Sequence, residues 1–121
     1  MERPFRHLDV ERQGEVYCVR LRQSRLDETA LYEVWDEIYS LIDRDGCRKM
    51  VLSLGPEEPQ CLYSVFLAKL VSLQRRLQVK GGVLKIADAS PDTVGIFEAC
   101  RLKELFDFAP DRASAVAALS R

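Results

Sequence analysis

The stretch from residue 49 to residue 82 constrains the fold most, because a buried strand there leads through a short loop into a long helix. Residues 49–54 form an apolar run of strand length, and the loop after it is bounded by two prolines, which fit neither a strand nor a helix interior. Residues 62–79 carry apolar side chains at helical spacing, and Gly81 ends this helix. Such a unit is half of a βαβ motif, and α/β proteins place function at its corner. Ser64 stands at that corner.

The rest of the chain continues the alternation of strands and helices. Asp27 is placed to cap one helix, and Ser90 caps a later helix that begins with Pro91. The predicted strands are 5–11, 15–22, 49–54, 83–87 and 105–108, and the predicted helices are 28–43, 62–79, one from Ser90 and one from 111 to about 119. This order predicts a single α/β domain over residues 1–121, with a mixed sheet of four to five strands, an edge hairpin and about four helices packed against it.

Composition excludes several classes of function. The chain has 121 residues and a formal net charge of −1, so it lacks the basic excess of a nucleic-acid-binding surface. No apolar run approaches the roughly 20 residues that cross a bilayer, and no secretory signal is visible, so we expect no membrane partner. The four cysteines have no C-x-x-C spacing and there is one histidine. We therefore expect reduced core cysteines in a cytoplasmic protein without a metal or cofactor.

Four stretches, taken in order, resemble the STAS domain of bacterial anti-sigma factor antagonists. They are residues 16–21 with the Leu26-Asp27 pair, the strand at 49–54, the segment 62–82, and the Ser90-Pro91 helix with Phe97 and Leu102. The resemblance implies a STAS-like fold and a non-enzymatic module for protein–protein interaction, which acts in signal transduction and transcription regulation by partner switching. The implied partner is an anti-sigma factor or a related serine-kinase-type regulator, and the implied state is a monomer or a weak dimer.

The resemblance also implies a phosphorylation site. In that family a serine at the corner accepts the phosphate, and counting back from Gly81 and Gly82 places Ser64 on it. Tyr63 then stands where the family has aspartate, and Phe66 where it has glycine. We expect partner contacts at Asp27, which the resemblance places beside this corner, and at Glu58, Tyr63, Val65 and Phe66 around the corner itself. A phosphate on Ser64 is expected to disrupt partner binding, and the alternative is a degenerate STAS scaffold or signalling-complex subunit without this switch.

Several of these residues also have a purely structural interpretation. Asp27 alone would serve as a helix cap, Phe66 fits the inward stripe with Leu70, and Glu58 fits a solvated loop. Cys61, beside the corner, is either a reactive thiol or a buried one. A small-molecule or nucleotide-binding domain, for instance a hydrolase, is a third class. No phosphate-binding glycine motif and no Ser–His–Asp-like set supports that class.

Overall fold

The computed structural model describes residues 5–23, 25–55 and 63–120, with the side chain of Tyr63 outside this description. The strands are β1 (Leu8–Gln13), β2 (Val16–Leu21), β3 (Lys49–Ser53), β4 (Val83–Ala87) and β5 (Asp107–Ala109). The helices are α1 (Glu28–Asp43), α2 (Tyr63–Val79), α3 (Pro91–Ala99) and α4 (Arg112–Leu119), with a 3₁₀ turn at Lys103–Leu105. Within these ranges, no helix combines the length and apolarity that crossing a bilayer requires.

The strands form one mixed sheet whose spatial order follows the chain, β1-β2-β3-β4-β5. β1 and β2 pair antiparallel as the edge hairpin, and every later pair is parallel. Because β3 lies in the middle, its residues from Met50 to Ser53 are all buried. The predicted fold class, an α/β sheet with an edge hairpin and helices packed against it, is confirmed.

Alternate residues of the strands face two separate cores. On one face, Met50 and Leu52 of β3 pack under α1, α2 and α3. On the other face, Val51 packs beneath α4, together with Cys18 of β2 and Ala115 of the helix. Because one short helix covers this second face, part of it stays open along β1 and β2 and forms a groove, which is one side of a cavity that also reaches Leu41 on the first face.

Helix α1 shows how the local sequence sets the predicted structure. Asp27 accepts a hydrogen bond from the amide of Ala30 at 2.7 Å, which caps the helix. The buried residues are those of the apolar stripe in the sequence: Leu31, Val34, Trp35, Ile38, Leu41 and Ile42. Ser90 caps α3 in the same way by accepting from the amide of Thr93 at 3.1 Å. Both predicted caps are therefore confirmed.

The cysteines within the described residues fall into two groups. Cys18 and Cys47 are buried, and burial raises the pKa of the Cys47 thiol to about 12. Cys100 is exposed, so the expectation of a core position is wrong for this residue. It follows directly after α3, which buries only Thr93 and Phe97 and turns its carboxyl end to solvent.

Candidate functional site

The corner between β3 and α2 places Ser64 at the start of a helix. Ser64 is the second residue of α2 and is exposed to solvent. The first amide groups of a helix have no acceptor within the helix, and its amino end carries a partial positive charge. A phosphate group on Ser64 would therefore lie beside donors that the helix itself leaves unpaired.

The exposed side of α2 carries no acidic residue. Ser64, Ala68 and Ser72 recur every four residues along it, and all of them are exposed. The charged residues of α2 are all basic: Lys69, Arg75 and Arg76. A dianion on Ser64 would thus meet no like charge within its own helix, so the free chain could carry it at little electrostatic cost.

Helices α1 and α2 pack side by side in a defined register. The ammonium of Lys69 lies 4.0 Å from the centre of the Tyr32 ring, and the guanidinium carbon of Arg76 lies 4.1 Å from the centre of the Tyr39 ring. Tyr32 and Tyr39 are seven residues apart, as are Lys69 and Arg76, so the contact recurs two turns further along both helices. The two helices therefore run in the same direction at matched levels.

This register brings Asp27 and Ser64 to the same level. Asp27 precedes Tyr32 by five residues, and Ser64 precedes Lys69 by five residues. Both residues lie about 7.5 Å beyond the Tyr32–Lys69 contact along the helix axes. Asp27 is exposed while its carboxylate caps α1. The same carboxylate can therefore cap the helix and face a molecule that docks at this end of the helix pair.

Phe66 is buried, which corrects its prediction as a partner contact. Its ring has no exposed surface and meets the Trp35 ring edge-on, with 5.6 Å between centroids. The Trp35 indole nitrogen in turn donates to the Lys69 carbonyl at 3.0 Å. Phe66 turns inward because it belongs to the apolar stripe with Leu70, and Val65 is half-buried at the edge of the same core.

Three residues singled out in the sequence lie wholly or partly outside the described structure. Glu58 and Cys61 lie outside the described residues. Tyr63 is the first residue of α2, but its side chain is not described. Roles for these residues in binding or reactivity stay predictions.

Tyr32 belongs near this site and was missed in the sequence. It is 52% exposed although it is a large aromatic residue, and it lies on α1 between Asp27 and the buried Trp35. An exposed aromatic residue next to a docking surface is a common interface anchor. The sequence did hold a signal for Tyr32: it stands seven residues, or two helical turns, before Tyr39, and both tyrosines lie beside the apolar stripe of α1.

Comparisons with known proteins identify the class to which this fold belongs. No protein-family model matches the sequence, and no curated protein matches it by sequence. An anti-sigma-factor antagonist (STAS) domain protein from Planctomyces limnophilus superposes with a TM-score of 0.79 at 19% identity, over 94% of this chain and 98% of that chain. The chain has the fold of the STAS domain, as the sequence resemblance implied.

Two further solved structures have the same fold. The Bacillus cell-fate determinant SpoIIAA, in its phosphorylated form, superposes with a TM-score of 0.69 at 18% identity, over 93% of this chain and 98% of that chain. A serine-to-glutamate variant of RsbS from Moorella thermoacetica superposes with a TM-score of 0.71 at 13% identity, over 93% of this chain and 94% of that chain. At these identities, the likeness establishes the fold.

Proposed function

We propose that this chain is a non-enzymatic interaction module that binds an anti-sigma factor or a related serine-kinase-type regulator. The contact surface is the amino end of α2, with Asp27 and Tyr32 of the adjacent helix beside it. Phosphorylation of Ser64 weakens the contact. The observation that carries this proposal is the exposed position of Ser64 at the start of α2.

The proposed switch is electrostatic. A phosphate adds about −1.5 to −2 charges and three acceptor oxygens at this surface. In the free chain the helix amide groups and the partial positive charge of the helix start stabilise it. In a complex the dianion would lose its hydration and meet any carboxylate that the partner places there, so the bound state is disfavoured. A protein of the same fold, SpoIIAA, is known in a phosphorylated form.

Access to Ser64 also supports the proposal. Phe66 replaces a small residue of the resembled family, but its ring is buried against Trp35 and not in the path of an incoming partner. Ala68, one turn beyond Ser64, is small and exposed. A partner can therefore approach the start of α2 closely. Because serine-kinase-type regulators use ATP, we place this role in the cytoplasm.

The direct test is incubation with the cognate kinase and ATP, followed by mass spectrometry of the phosphopeptides. We expect phosphate on Ser64 and none on Ser72, an exposed serine two turns further along the same helix. Partner affinity should stay near the wild-type value in Ser64→Ala and fall in Ser64→Asp, whereas Ser72→Asp should leave it unchanged. Phosphate on another residue, or equal affinity of Ser64→Asp and wild type, would remove the switch and favour the constitutive scaffold.

A further inference from the structure

The open part of the second sheet face forms a groove that the proposed function does not use. The groove belongs to a cavity of about 1060 Å³ that runs around the β1–β2 edge of the sheet and also reaches Leu41 and Asp45 on the first face. On the second face it extends along β1 and β2 to the carboxyl ends of β3 and β4. The strand register sets Asp9 opposite Arg20, and Arg20 opposite Ser53. Residues paired in this way project to the same face, so these three side chains form one row across the floor and rim of the groove.

Ser53 brings a polar group to the floor of this groove. The residue is only 5% exposed, and it lines the groove where β3 ends. Among the described residues, its hydroxyl has no hydrogen-bond partner, although it is not sealed off from the groove. A hydroxyl that keeps contact with solvent can hydrogen-bond to water or to a ligand that displaces the water. Ser53 therefore offers both a donor and an acceptor to a molecule that occupies the groove.

One side of the groove carries a net positive charge. The Asp9 carboxylate is shared by two guanidinium groups: Nη2 of Arg20 lies 3.3 Å from Oδ2, and Nε of Arg22 lies 3.0 Å from Oδ1. Two cations against one anion leave one positive charge uncompensated. Arg112 also lines the groove, but Glu11 pairs with it. This side is therefore suited to a carboxylate group.

The other side of the groove carries a negative charge. Asp88 directly follows β4, and no basic side chain among the described residues forms an ion pair with it. Gly55 permits its close approach, because a Cβ at Gly55 would lie 2.9 Å from the Asp88 carbonyl oxygen and 3.0 Å from the Asp88 Cβ. With β3 between them, the backbones of β2 and β4 lie about 10 Å apart, which leaves room for a small molecule above Ser53.

We propose that this groove binds a small zwitterion, a free α-amino acid or a dipeptide. Its carboxylate lies at Arg20 and Arg22, its ammonium lies at Asp88, and Ser53 hydrogen-bonds to the molecule between them. The two arginines on one side of the groove and Asp88 on the other account for this class of ligand. A simple anion would be repelled by Asp88, and a simple cation would be repelled by the two arginines.

The test is an NMR titration of the ¹⁵N-labelled chain with L-alanyl-L-alanine and with L-alanine, each up to about 10 mM. We expect saturable shifts of the Arg20, Ser53 and Asp88 amides with at least one of the two. N-Acetyl-L-alanyl-L-alanine lacks the ammonium and L-alanyl-L-alaninamide lacks the carboxylate, and each should bind at least tenfold more weakly than the dipeptide. No saturable shift with either zwitterion, shifts confined to other residues, or equal binding of an analogue would overturn the proposal.

Variants test whether the zwitterion binds at the residues of this groove. Ser53→Ala and Asp88→Asn should each raise the Kd for the zwitterion at least fivefold, while Asp92→Asn, an exposed acid of α3 outside the groove, should leave it unchanged. The amide spectrum of each variant reports whether it is folded. Ser64→Asp should leave zwitterion binding unchanged, so failure of the switch and failure of this site are distinguishable. Unchanged binding in both groove variants contradicts the assignment.

Discussion

Lys69 of α2 lies over the ring of Tyr32 of α1, with 4.0 Å between the ammonium nitrogen and the ring centre. The same nitrogen is 6.0 Å from the centre of the Trp35 ring. An ammonium held by two aromatic rings of α1 fixes the first turns of α2 relative to its neighbour. Because Ser64 lies about one and a half turns beyond this contact, a partner would find it in a preset position, and less ordering entropy would be lost on binding.

The Tyr32–Lys69 contact should contribute measurably to stability. In a double-mutant cycle with Tyr32→Leu and Lys69→Met, we expect a coupling free energy of about 0.5 to 1 kcal/mol, the usual range for a partly exposed cation–π pair. Urea unfolding of the four proteins measures it. The matched control replaces Arg75, an exposed cation on the outer side of α2, with methionine. A coupling for Lys69 no larger than that for Arg75 would show that the contact is not formed in solution.

Substitutions of Phe66 should mainly lower stability, whereas substitution of Tyr32 should mainly weaken partner binding. Phe66→Ala should lower the free energy of unfolding by about 3 to 5 kcal/mol, because a fully buried ring is lost. The milder Phe66→Leu should leave partner affinity near the wild-type value. Tyr32→Ala should weaken partner binding about tenfold with a smaller loss of stability, because its ring is half exposed beside the site. Calorimetric titration with the partner measures the affinities of Phe66→Leu and Tyr32→Ala. A loss of affinity in Phe66→Leu alone would contradict the assignment of Phe66 to the core.

Asp27 carries two roles that substitution can separate. Asparagine keeps the capping oxygen, whereas alanine removes it, so Asp27→Ala should cost about 1 kcal/mol of stability and Asp27→Asn much less. Partner affinity should fall in both variants if the negative charge contacts the partner. Thermal unfolding of the two variants measures the capping role, and titration with the partner measures the binding role. A normal affinity in Asp27→Asn would reduce Asp27 to a helix cap.

Substitution by alanine should change stability in opposite directions at Gly95 and at Gly82. Gly95 lies within α3, and a Cβ there meets nothing within 4 Å. Gly95→Ala should therefore stabilise the chain by about 0.5 to 1 kcal/mol, since alanine restricts the unfolded chain and favours helix. A Cβ on Gly82 would overlap the Arg48 carbonyl oxygen, which also accepts the Val83 amide at 2.7 Å. Gly82→Ala should lower the thermal midpoint, and a rise instead would contradict the described backbone.

Cys47 should make stability fall at alkaline pH. Burial raises the pKa of its thiol from 9.0 to about 12. The unfolded chain therefore ionises first, so this contribution is intact below about pH 9 and is lost as the pH rises towards 12. Urea unfolding of the wild type between about pH 8 and pH 10.5 should show that the free energy of unfolding declines as the pH rises, and this decline should be smaller in Cys47→Val. The exposed Cys100 provides the control, because Cys100→Ala should keep the full decline. Burial also raises the pKa of Cys18, so some decline should remain in Cys47→Val.

The elements that depend on local signals were predictable from the sequence. The bounds of α1 follow from the Asp27 cap and the apolar stripe, and the first residue of α3 follows from Ser90 and Pro91. The final strand was placed two residues early, because the 3₁₀ turn at Lys103–Leu105 takes up residues that resemble a strand. Apolar residues such as Leu105 do not distinguish the two, since one turn is too short to show a period.

The site was predictable only in part, because it depends on packing between distant segments. The position of Ser64 at the start of α2 follows from the loop and the helical period. The inward turn of Phe66 was one of two open interpretations, and Trp35 decides it by filling the space against which the ring packs. The groove at Ser53 could not be foreseen, because a serine that ends an apolar strand does not reveal how far a later helix covers its face.

The order of the strands in the sheet is the order of the strands in the chain, and this has a consequence for how the molecule assembles. Each new strand joins the one made just before it, so most of the architecture can form from neighbouring segments without long loops being closed first. Helix α4 is the exception, because Arg112 reaches back to Glu11 of the first strand. Helix α4 thus links the first strand of the sheet to the segment that follows its fifth strand, and a nascent chain would complete its second core only once that helix had been synthesised.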